Sequence, residues 1–468
     1  MSERRLVFPL LLVLDFVCVE VVFQVVGWLR AAVAVGSFEA GPLVAGVSDF
    51  RSLLGPFAVL CLALYLIDGY SSRTDMLSVA YASLHVIALA TGMLVMMMVT
   101  YVFIKDQYAL QSSRAVIAFG FLLLIPVTLT YRRWLTLRMM ATRQQRPILF
   151  LGNQGSCVAF KATCRTNQLS QEVIYIATDA NHQESIAPMI EIEMQAVTEL
   201  PQILDKLAPR LEAIVLHRSA RDLPGGVVEK LMELHFHGVS TYTLELFHEI
   251  YWRKIPLEEL DPTWLFQEGF QIARQPVFAR LKRLSDIVLA LLGLVVCSPL
   301  LLLCAAAIWL EDRGAVFFLQ TRIGLNHVPF QIVKFRTMRP SDGGGDPYTQ
   351  PGDARVTRVG RLLRATRLDE FPQLWSVLRG DMSLIGPRAE WSKLVERYER
   401  EIPCYHFRHL MKPGITGWAQ VNYPYGANLD DTLRKLEYDL YYLRYFSFVL
   451  DASIVLKTVH IILFGKGR

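Results

Sequence analysis

Charge is scarce in this chain. Only 19% of its 468 residues are Asp, Glu, Lys or Arg and 53% are hydrophobic, against about 25% and about 45–50% in an ordinary soluble domain. That shortage argues against a wholly soluble protein. Long runs of like charge are also missing, and the net charge of +5 is modest, so nothing suggests a nucleic-acid partner. The seven cysteines are odd in number and scattered, with no Cys-x-x-Cys. This excludes a disulfide framework and a thiolate zinc site, and it fits a reducing compartment. The length predicts two or three units of about 100–200 residues.

Long hydrophobic runs, by contrast, are plentiful. Residues 6–26, 53–67, 76–103 and 115–130 are apolar and nearly uncharged, each close to the roughly 20 residues that a spanning helix needs, with 53–67 the shortest. The first run is too long, and too soon followed by others, for a cleaved signal peptide. Arg4 and Arg5 precede it, Arg73 lies in the second loop, and Arg132, Arg133, Arg138, Arg143 and Arg146 follow the fourth run, whereas loop 31–50 has no Lys or Arg. The positive-inside rule therefore predicts a four-helix transmembrane bundle over 1–131 with both ends in the cytoplasm.

A middle domain is expected over 145–265. Residues 146–155 read as a buried strand feeding a glycine turn, and strand and helix patterns then alternate through 173–177 and 213–217, the rhythm of an α/β Rossmann-like sheet. A dinucleotide fingerprint is absent, because Gly152 and Gly155 are spaced differently from Gly-x-Gly-x-x-Gly. Packing, homodimerisation or regulation is the favoured use. The pair Tyr101 and Lys105 lies at the end of a membrane segment and cannot serve a short-chain dehydrogenase; His235 and His237 lack a third metal ligand nearby.

A fifth apolar stretch, 287–310, is entered from Lys282-Arg283-Leu284-Ser285-Asp286 and left through Glu311-Asp312-Arg313. Length alone predicts a transmembrane helix. Ser298-Pro299 near its middle favours a kink or break. A kinked spanning helix would put the basic region after it outside, away from cytoplasmic nucleotide-linked substrates. A re-entrant helix over about 285–311 keeps that region inside.

The last third carries the chemistry. Arg355, Arg358, Arg361, Arg364 and Arg367 recur every third residue and run into Leu368-Asp369-Glu370-Phe371-Pro372-Gln373-Leu374. Guanidinium forks suit phosphate oxygens, although such a track also describes a solvated face or one resting on anionic lipid. Asp369 and Glu370 read either as first-turn residues of a helix capped by Thr366 or as a pair suited to phosphoryl chemistry, one carboxylate attacking phosphorus or holding Mg²⁺ while cations neutralise the moving group. The residues thus support Mg²⁺-dependent phosphoryl or glycosyl-phosphate transfer at a membrane surface, without identifying a substrate.

Taken together, Lys282-Arg283 with Asp286, Ser298-Pro299, Phe318-Leu319-Gln320-Thr321-Arg322-Ile323-Gly324, Lys334-Phe335-Arg336-Thr337-Met338, the Asp369-Glu370 motif, Gly380-Asp381-Met382-Ser383-Leu384-Ile385-Gly386-Pro387-Arg388 and Lys412-Pro413-Gly414-Ile415-Thr416-Gly417-Trp418 resemble the bacterial sugar transferases, the monotopic phosphoglycosyl transferases. The match covers about residues 280–468. The preceding bundle and middle domain resemble, less specifically, the large members that start exopolysaccharide or O-antigen assembly.

The resemblance implies a mostly α-helical, membrane-embedded catalytic domain on the cytoplasmic face of a bacterial inner membrane, with a re-entrant helix broken at Ser298-Pro299. It implies that Asp369 attacks the sugar-bearing phosphate of a UDP-sugar, expels UMP and becomes an aspartyl ester, from which undecaprenyl phosphate takes the phosphosugar. Mg²⁺ would sit near Asp369 and Glu370, the latter positioning metal or handling protons. Arg364 matches the family's arginine for the lipid phosphate, and Lys282 and Arg283 suit phosphate headgroups. Lys334, Arg336, Pro387 and Arg388 fall to the nucleotide sugar; Ala389 stands where the family's run has a second proline, which removes one source of rigidity from that loop. Segment 443–464 reads as interfacial helix or as buried core. The competing classes are a membrane-tethered nucleotide-sugar dehydratase or epimerase, which lacks its glycine fingerprint and Tyr-Lys pair here, a non-catalytic scaffold of polysaccharide export, and a glycosyl transferase that releases UDP.

Overall fold

The computed structural model describes residues 2–35, 50–71, 74, 76–103, 114–143, 146–169, 171–178, 194–196, 200–207, 211–217, 223, 225–257, 276–339, 353, 355–423, 426 and 428–464. The chain divides into two compact units, Met1–Trp252 and Arg253–Arg468.

The first unit opens with α1 (Ser2–Val35), α2 (Phe50–Leu66), α3 (Val79–Phe103) and α4 (Arg114–Arg143). The stretches Phe8–Arg30, Val79–Tyr101 and Arg114–Arg138 are long and apolar enough to cross a membrane, while Leu53–Leu66 in α2 is shorter. Their apolar side chains face both ways. Val19, Phe23, Leu60, Leu89, Ile117 and Phe121 are buried between helices, whereas Val13, Val17, Leu94, Met98, Phe119 and Leu122 are exposed, an outer surface suited to lipid rather than water. The aromatic rings of Phe23 and Phe121 meet edge to face at 6.2 Å. A Cβ on Gly120 would lie 2.8 Å from the Phe23 ring, so a side chain there would push α1 and α4 apart. Buried among these helices, Asp15 accepts from Arg132 at 2.5 Å and from Tyr70 at 2.7 Å, as charges taken out of water require.

After the bundle come β1 (Ile148–Gly152), α5 (Gln154–Thr166), β2 (Val173–Ala177), β3 (Met194–Ala196), α6 (Leu200–Leu207), β4 (Ala213–Leu216), α7 (Gly225–Phe236), β5 (Ser240–Thr243) and α8 (Leu244–Tyr251). The strands form one sheet in the order β3-β2-β1-β4-β5, with every pairing parallel. Strand β1 at its centre is wholly buried, as a parallel strand covered on both faces must be. Its turn into α5 is closed by Asn153, whose side chain accepts from Ser156 N at 2.8 Å.

The second unit begins with Arg253, and Ile255 and Leu257 pack into its core. Residues 258–265, the end of the expected middle domain, lie outside the described residues. Then follow α9 (Pro276–Asp312), β6 (Phe317–Ile323), β7 (Pro329–Phe335), α10 (Arg358–Thr366), α11 (Gln373–Arg379), β8 (Ser383–Ile385), α12 (Ser392–Glu401), β9 (Gly414–Thr416), α13 (Trp418–Asn422), α14 (Leu429–Tyr445) and α15 (Phe448–Phe464). Strands β6 and β7 form an antiparallel hairpin, and β8 pairs in parallel with β9. The main core gathers Trp418, Tyr405, Leu436, Leu440, Leu443 and Ile454.

Helix α9 runs through Pro299 without interruption. Proline deprives the carbonyl four residues back of its donor, and here that carbonyl, Val295 O, accepts from the Ser298 hydroxyl at 2.8 Å. The serine thus supplies the missing hydrogen bond. Leu291, Leu292, Val295, Val296, Leu302 and Leu303 are exposed along this helix, and Ala279–Asp312 is long and apolar enough to cross a membrane. Both ends are held by the same unit. Asp286 accepts from Leu384 N at 3.0 Å and Ser383 Oγ at 3.1 Å, while Glu311 accepts from Arg358 N at 2.8 Å and Asp312 pairs with Arg336. Segment 443–464 divides its faces: Leu443, Leu450 and Ile454 are buried, whereas Val455, Ile462, Leu463 and Phe464 are exposed.

Candidate active site

The two acids are presented by a reversal between α10 and α11. Helix α10 starts on Thr357, whose hydroxyl accepts from Gly360 N at 2.9 Å. It lies close against the strand side, for a Cβ on Gly360 would fall 2.2 Å from the Thr337 carbonyl. It ends on Arg367 in the left-handed conformation, φ 59°, a costly state for a long side chain. A single 3-10 turn, Leu368–Glu370, follows before α11. Leu368 and Phe371 flank the acids and each packs into a core cluster, so the turn is pinned on both sides. The reading of Thr366 as an N-cap with the acids in a helical first turn is overturned. Thr366 is the last residue of α10, and its hydroxyl donates to Leu362 O at 2.9 Å.

Glu370 Oε1 accepts from Lys334 Nζ and from Arg388 Nη2, each at 3.3 Å. Burial pushes Glu370 up, but Arg388, Lys334 and Arg367 outweigh it and hold the carboxyl down at about 2. Lys334, on β7, is drawn by burial down to about 8 despite the attraction of Glu370, with Arg388 and Arg322 repelling its charge. Asp369 moves the other way: burial and the Glu370 charge raise it, against the pull of Lys334, Arg364 and Arg367. Its Oδ1 is buried with no hydrogen-bond partner among the described residues. An unpaired lone pair on a desolvated carboxylate is available to an electrophile or a hard cation.

A small cleft beside the dyad is lined by Arg322, Lys334, Gln373, Met382, Arg388 and Gly414. Arg388 is fixed through its backbone, which bridges Gly414 and whose carbonyl accepts from Arg408 at 3.0 Å. Pro387 O accepts from Gly414 N at 2.9 Å, and Ala389 O accepts from Arg322 at 3.0 Å. These contacts hold the loop where the second proline is missing. Arg322 and Gln373 are cleft residues to which sequence reasoning gave no role. Gln373 Nε2 is buried without a hydrogen-bond partner among the described residues, a donor in the cleft lining left for a polar guest; its place one residue after Pro372 in the acid motif was the available signal.

The other candidates are spread more widely. Arg364 donates to the Thr337 hydroxyl at 2.9 Å and its charge reaches Asp369. Arg336 is engaged with Asp312. Lys282 sits in a nearly buried pair with Asp451 at 2.7 Å and donates to Tyr442, and Arg283 donates to Leu378 O at 2.6 Å at the end of α11. The site therefore assembles Asp369, Glu370, Lys334 and Arg388, with Arg364 in electrostatic range; Lys282, Arg283 and Arg336 have partners elsewhere. For a divalent cation the fit lies at Asp369, whose Oδ1 has no partner among the described residues, whereas Glu370 is committed to two cations. Magnesium takes such oxygen ligands.

Comparison with known proteins gives the chain its relatives. Residues 277–465 match the family described as bacterial sugar transferase. A UDP-N-acetylgalactosamine-undecaprenyl-phosphate N-acetylgalactosaminephosphotransferase of Aeromonas hydrophila is 41% identical over 270 residues, 57% of this chain and 63% of its own. A UDP-glucose:undecaprenyl-phosphate glucose-1-phosphate transferase of Caulobacter vibrioides is 47% identical over 181 residues, 38% of this chain and 68% of its own. An exopolysaccharide production protein, PSS, of Rhizobium leguminosarum bv. phaseoli is 42% identical over 187 residues, 38% of this chain and 93% of its own. The match thus spans just under two thirds of the Aeromonas protein.

Proposed function

The chain belongs to the bacterial sugar transferase family, and we propose that it transfers a sugar 1-phosphate from a UDP-sugar to undecaprenyl phosphate at the cytoplasmic face of a bacterial inner membrane, releasing UMP. The observation that carries this reading is the Asp369 carboxylate, buried with Oδ1 free of partners among the described residues, beside a Glu370 already neutralised by Lys334 and Arg388.

In the first half-reaction an Asp369 oxygen attacks the sugar-bearing phosphorus, the bond from that phosphorus to the bridging oxygen breaks, and its electron pair leaves with UMP. In the second, an undecaprenyl phosphate oxygen attacks the same phosphorus and displaces Asp369, giving undecaprenyl-diphospho-sugar. Two easier displacements replace one hard one. Glu370 keeps Lys334 and Arg388 facing the cleft, where they and Arg322 meet diphosphate charge, and Gln373 offers a neutral donor. Arg364, held by Thr337, is placed for the acceptor phosphate. Magnesium held at Asp369, with Glu370 alongside, would offset the diphosphate charge.

Helix α9 is read as re-entrant, bending at Ser298-Pro299 while its hydrogen-bonding continues, so that its two ends lie on one side of the membrane. Support comes from its grip at both ends by one unit, through Asp286 at one end and Glu311 and Asp312 at the other. The relatives' names divide between UDP-N-acetylgalactosamine and UDP-glucose, so these two lead the donor panel. The deciding experiment separates UMP from UDP released by purified protein given Mg²⁺, undecaprenyl phosphate and that panel. UMP dependent on one sugar is expected; UDP would mean that the sugar alone moves.

A further inference from the structure

Away from the dyad, three side chains from three elements of the second unit converge. His327 lies in the turn of the β6–β7 hairpin, Glu399 on α12, and His409 in the 3-10 segment Tyr405–Leu410. One ligand atom from each lies within 4.8 Å of the other two. His327 Nε2 and Glu399 Oε1 are 2.6 Å apart, and the two imidazole rings are 4.5 Å centre to centre.

The telling residue is His409. It is only 5% exposed, and its Nε2 has no hydrogen-bond partner among the described residues. It bonds to the backbone at Gly324, and since Nε2 is the nitrogen left over, that bond goes from Nδ1. A histidine whose Nδ1–H is fixed on a backbone carbonyl while Nε2 keeps its lone pair is oriented as metal-binding histidines are. Leaving that nitrogen buried and unsatisfied is costly. The positive charge next door is already balanced: Arg408 pairs with Asp439 at 2.9 Å and Glu390 at 3.7 Å.

We propose that His327, Glu399 and His409 bind a divalent transition ion of the zinc class, separate from the magnesium expected at Asp369. Two imidazoles and one carboxylate suit zinc and cobalt(II), while magnesium prefers oxygen-only sets. Ligand bonds of about 2.0–2.1 Å place tetrahedral ligand atoms about 3.3 Å apart, so the ion takes the place of the direct His327–Glu399 hydrogen bond as those two exposed side chains part by less than an ångström. A fourth position is left to water. The ion would tie the hairpin turn to α12 and to the segment bearing Arg408, which supports the Arg388 carbonyl at 3.0 Å. It is therefore a clamp behind the cleft and not a reactant.

The test uses the untagged, full-length protein in detergent, loaded with Zn²⁺, desalted and assayed for metal content, with Co²⁺ absorption reporting the coordination. About one tightly held zinc per chain is expected, resistant to excess Mg²⁺ and retained by Asp369→Asn. In His327→Ala and Glu399→Gln, both changed at exposed positions, the affinity should fall at least about tenfold. Because His409 is buried and its loss could disturb folding, those two variants decide. Zinc held equally by them and by the parent, zinc lost from Asp369→Asn, or no zinc retained by the parent would each overturn the assignment.

Discussion

Asp369 and Glu370 are neighbours in the chain pushed in opposite directions, the first raised by burial and by the second's charge, the second brought down to about 2 chiefly by Arg388 and Lys334. Paired carboxylates driven apart in this way take separate roles. Asp369 is left desolvated, and Glu370 is paired as a fixed counter-charge.

Asp369→Asn should lower UMP release by at least about 10³-fold, the scale on which removal of a nucleophile acts. The melting temperature should not fall, because the isosteric change removes a negative charge that burial and the neighbouring Glu370 disfavour. Parallel turnover and thermal-melt measurements check both; an active variant would remove the nucleophile assignment.

Lys334 gives a base limb to the pH profile. Burial brings the folded group down to about 8, against an ordinary value of 10.5, so UMP release should decline as pH rises through about 8 and Glu370 loses one of its cations. Stability should run the opposite way. Between those two values the unfolded chain binds more protons than the folded one, so stability rises with pH. In Lys334→Met the limb near 8 should vanish, with a lower plateau.

Arg364→Ala should slow transfer to undecaprenyl phosphate about 10- to 100-fold, the worth of a charge-assisted hydrogen bond, while leaving the UMP-releasing step less affected. Single-turnover assays of the two steps make the distinction, and equal damage to both would count against a role at the acceptor.

Lys282 tests architecture against headgroup binding. Its pair with Asp451 is nearly buried, and removing one partner of such a pair costs about 3–5 kcal/mol. Lys282→Met should therefore melt markedly earlier, with Lys282→Met/Asp451→Leu recovering part of the loss. A variant that melts like the parent but has a raised KM for the lipid would restore the headgroup role.

The parts legible in sequence were those written locally. Apolar runs declared the long helices, the strand rhythm over 146–155, 173–177 and 213–217 foretold the parallel sheet, and the acids beside arginines marked a candidate site. What escaped depended on distant partners. The pairing of Lys282 is invisible locally because Asp451, which holds it, lies 169 residues away. Thr366 looked like a cap because nothing local shows that Arg367 turns left-handed and ends a helix there. The continuity of α9 through Pro299 rests on a hydroxyl bonding back to Val295, a compensation that proline statistics do not convey. Arg322 and Gln373 join the cleft only once the β6–β7 hairpin and α11 are brought side by side.

The bond between Asp15 and Arg132 bears on the order of biogenesis. The two residues are 117 positions apart, on α1 and α4, so α1 emerges from the ribosome long before its counter-charge exists. A lone acid at the centre of an inserted helix costs about 2.5–3.5 kcal/mol. Until α4 is made, Asp15 lacks the cation that balances it in the finished bundle, so the charge of α1 is settled only by the last of the four helices.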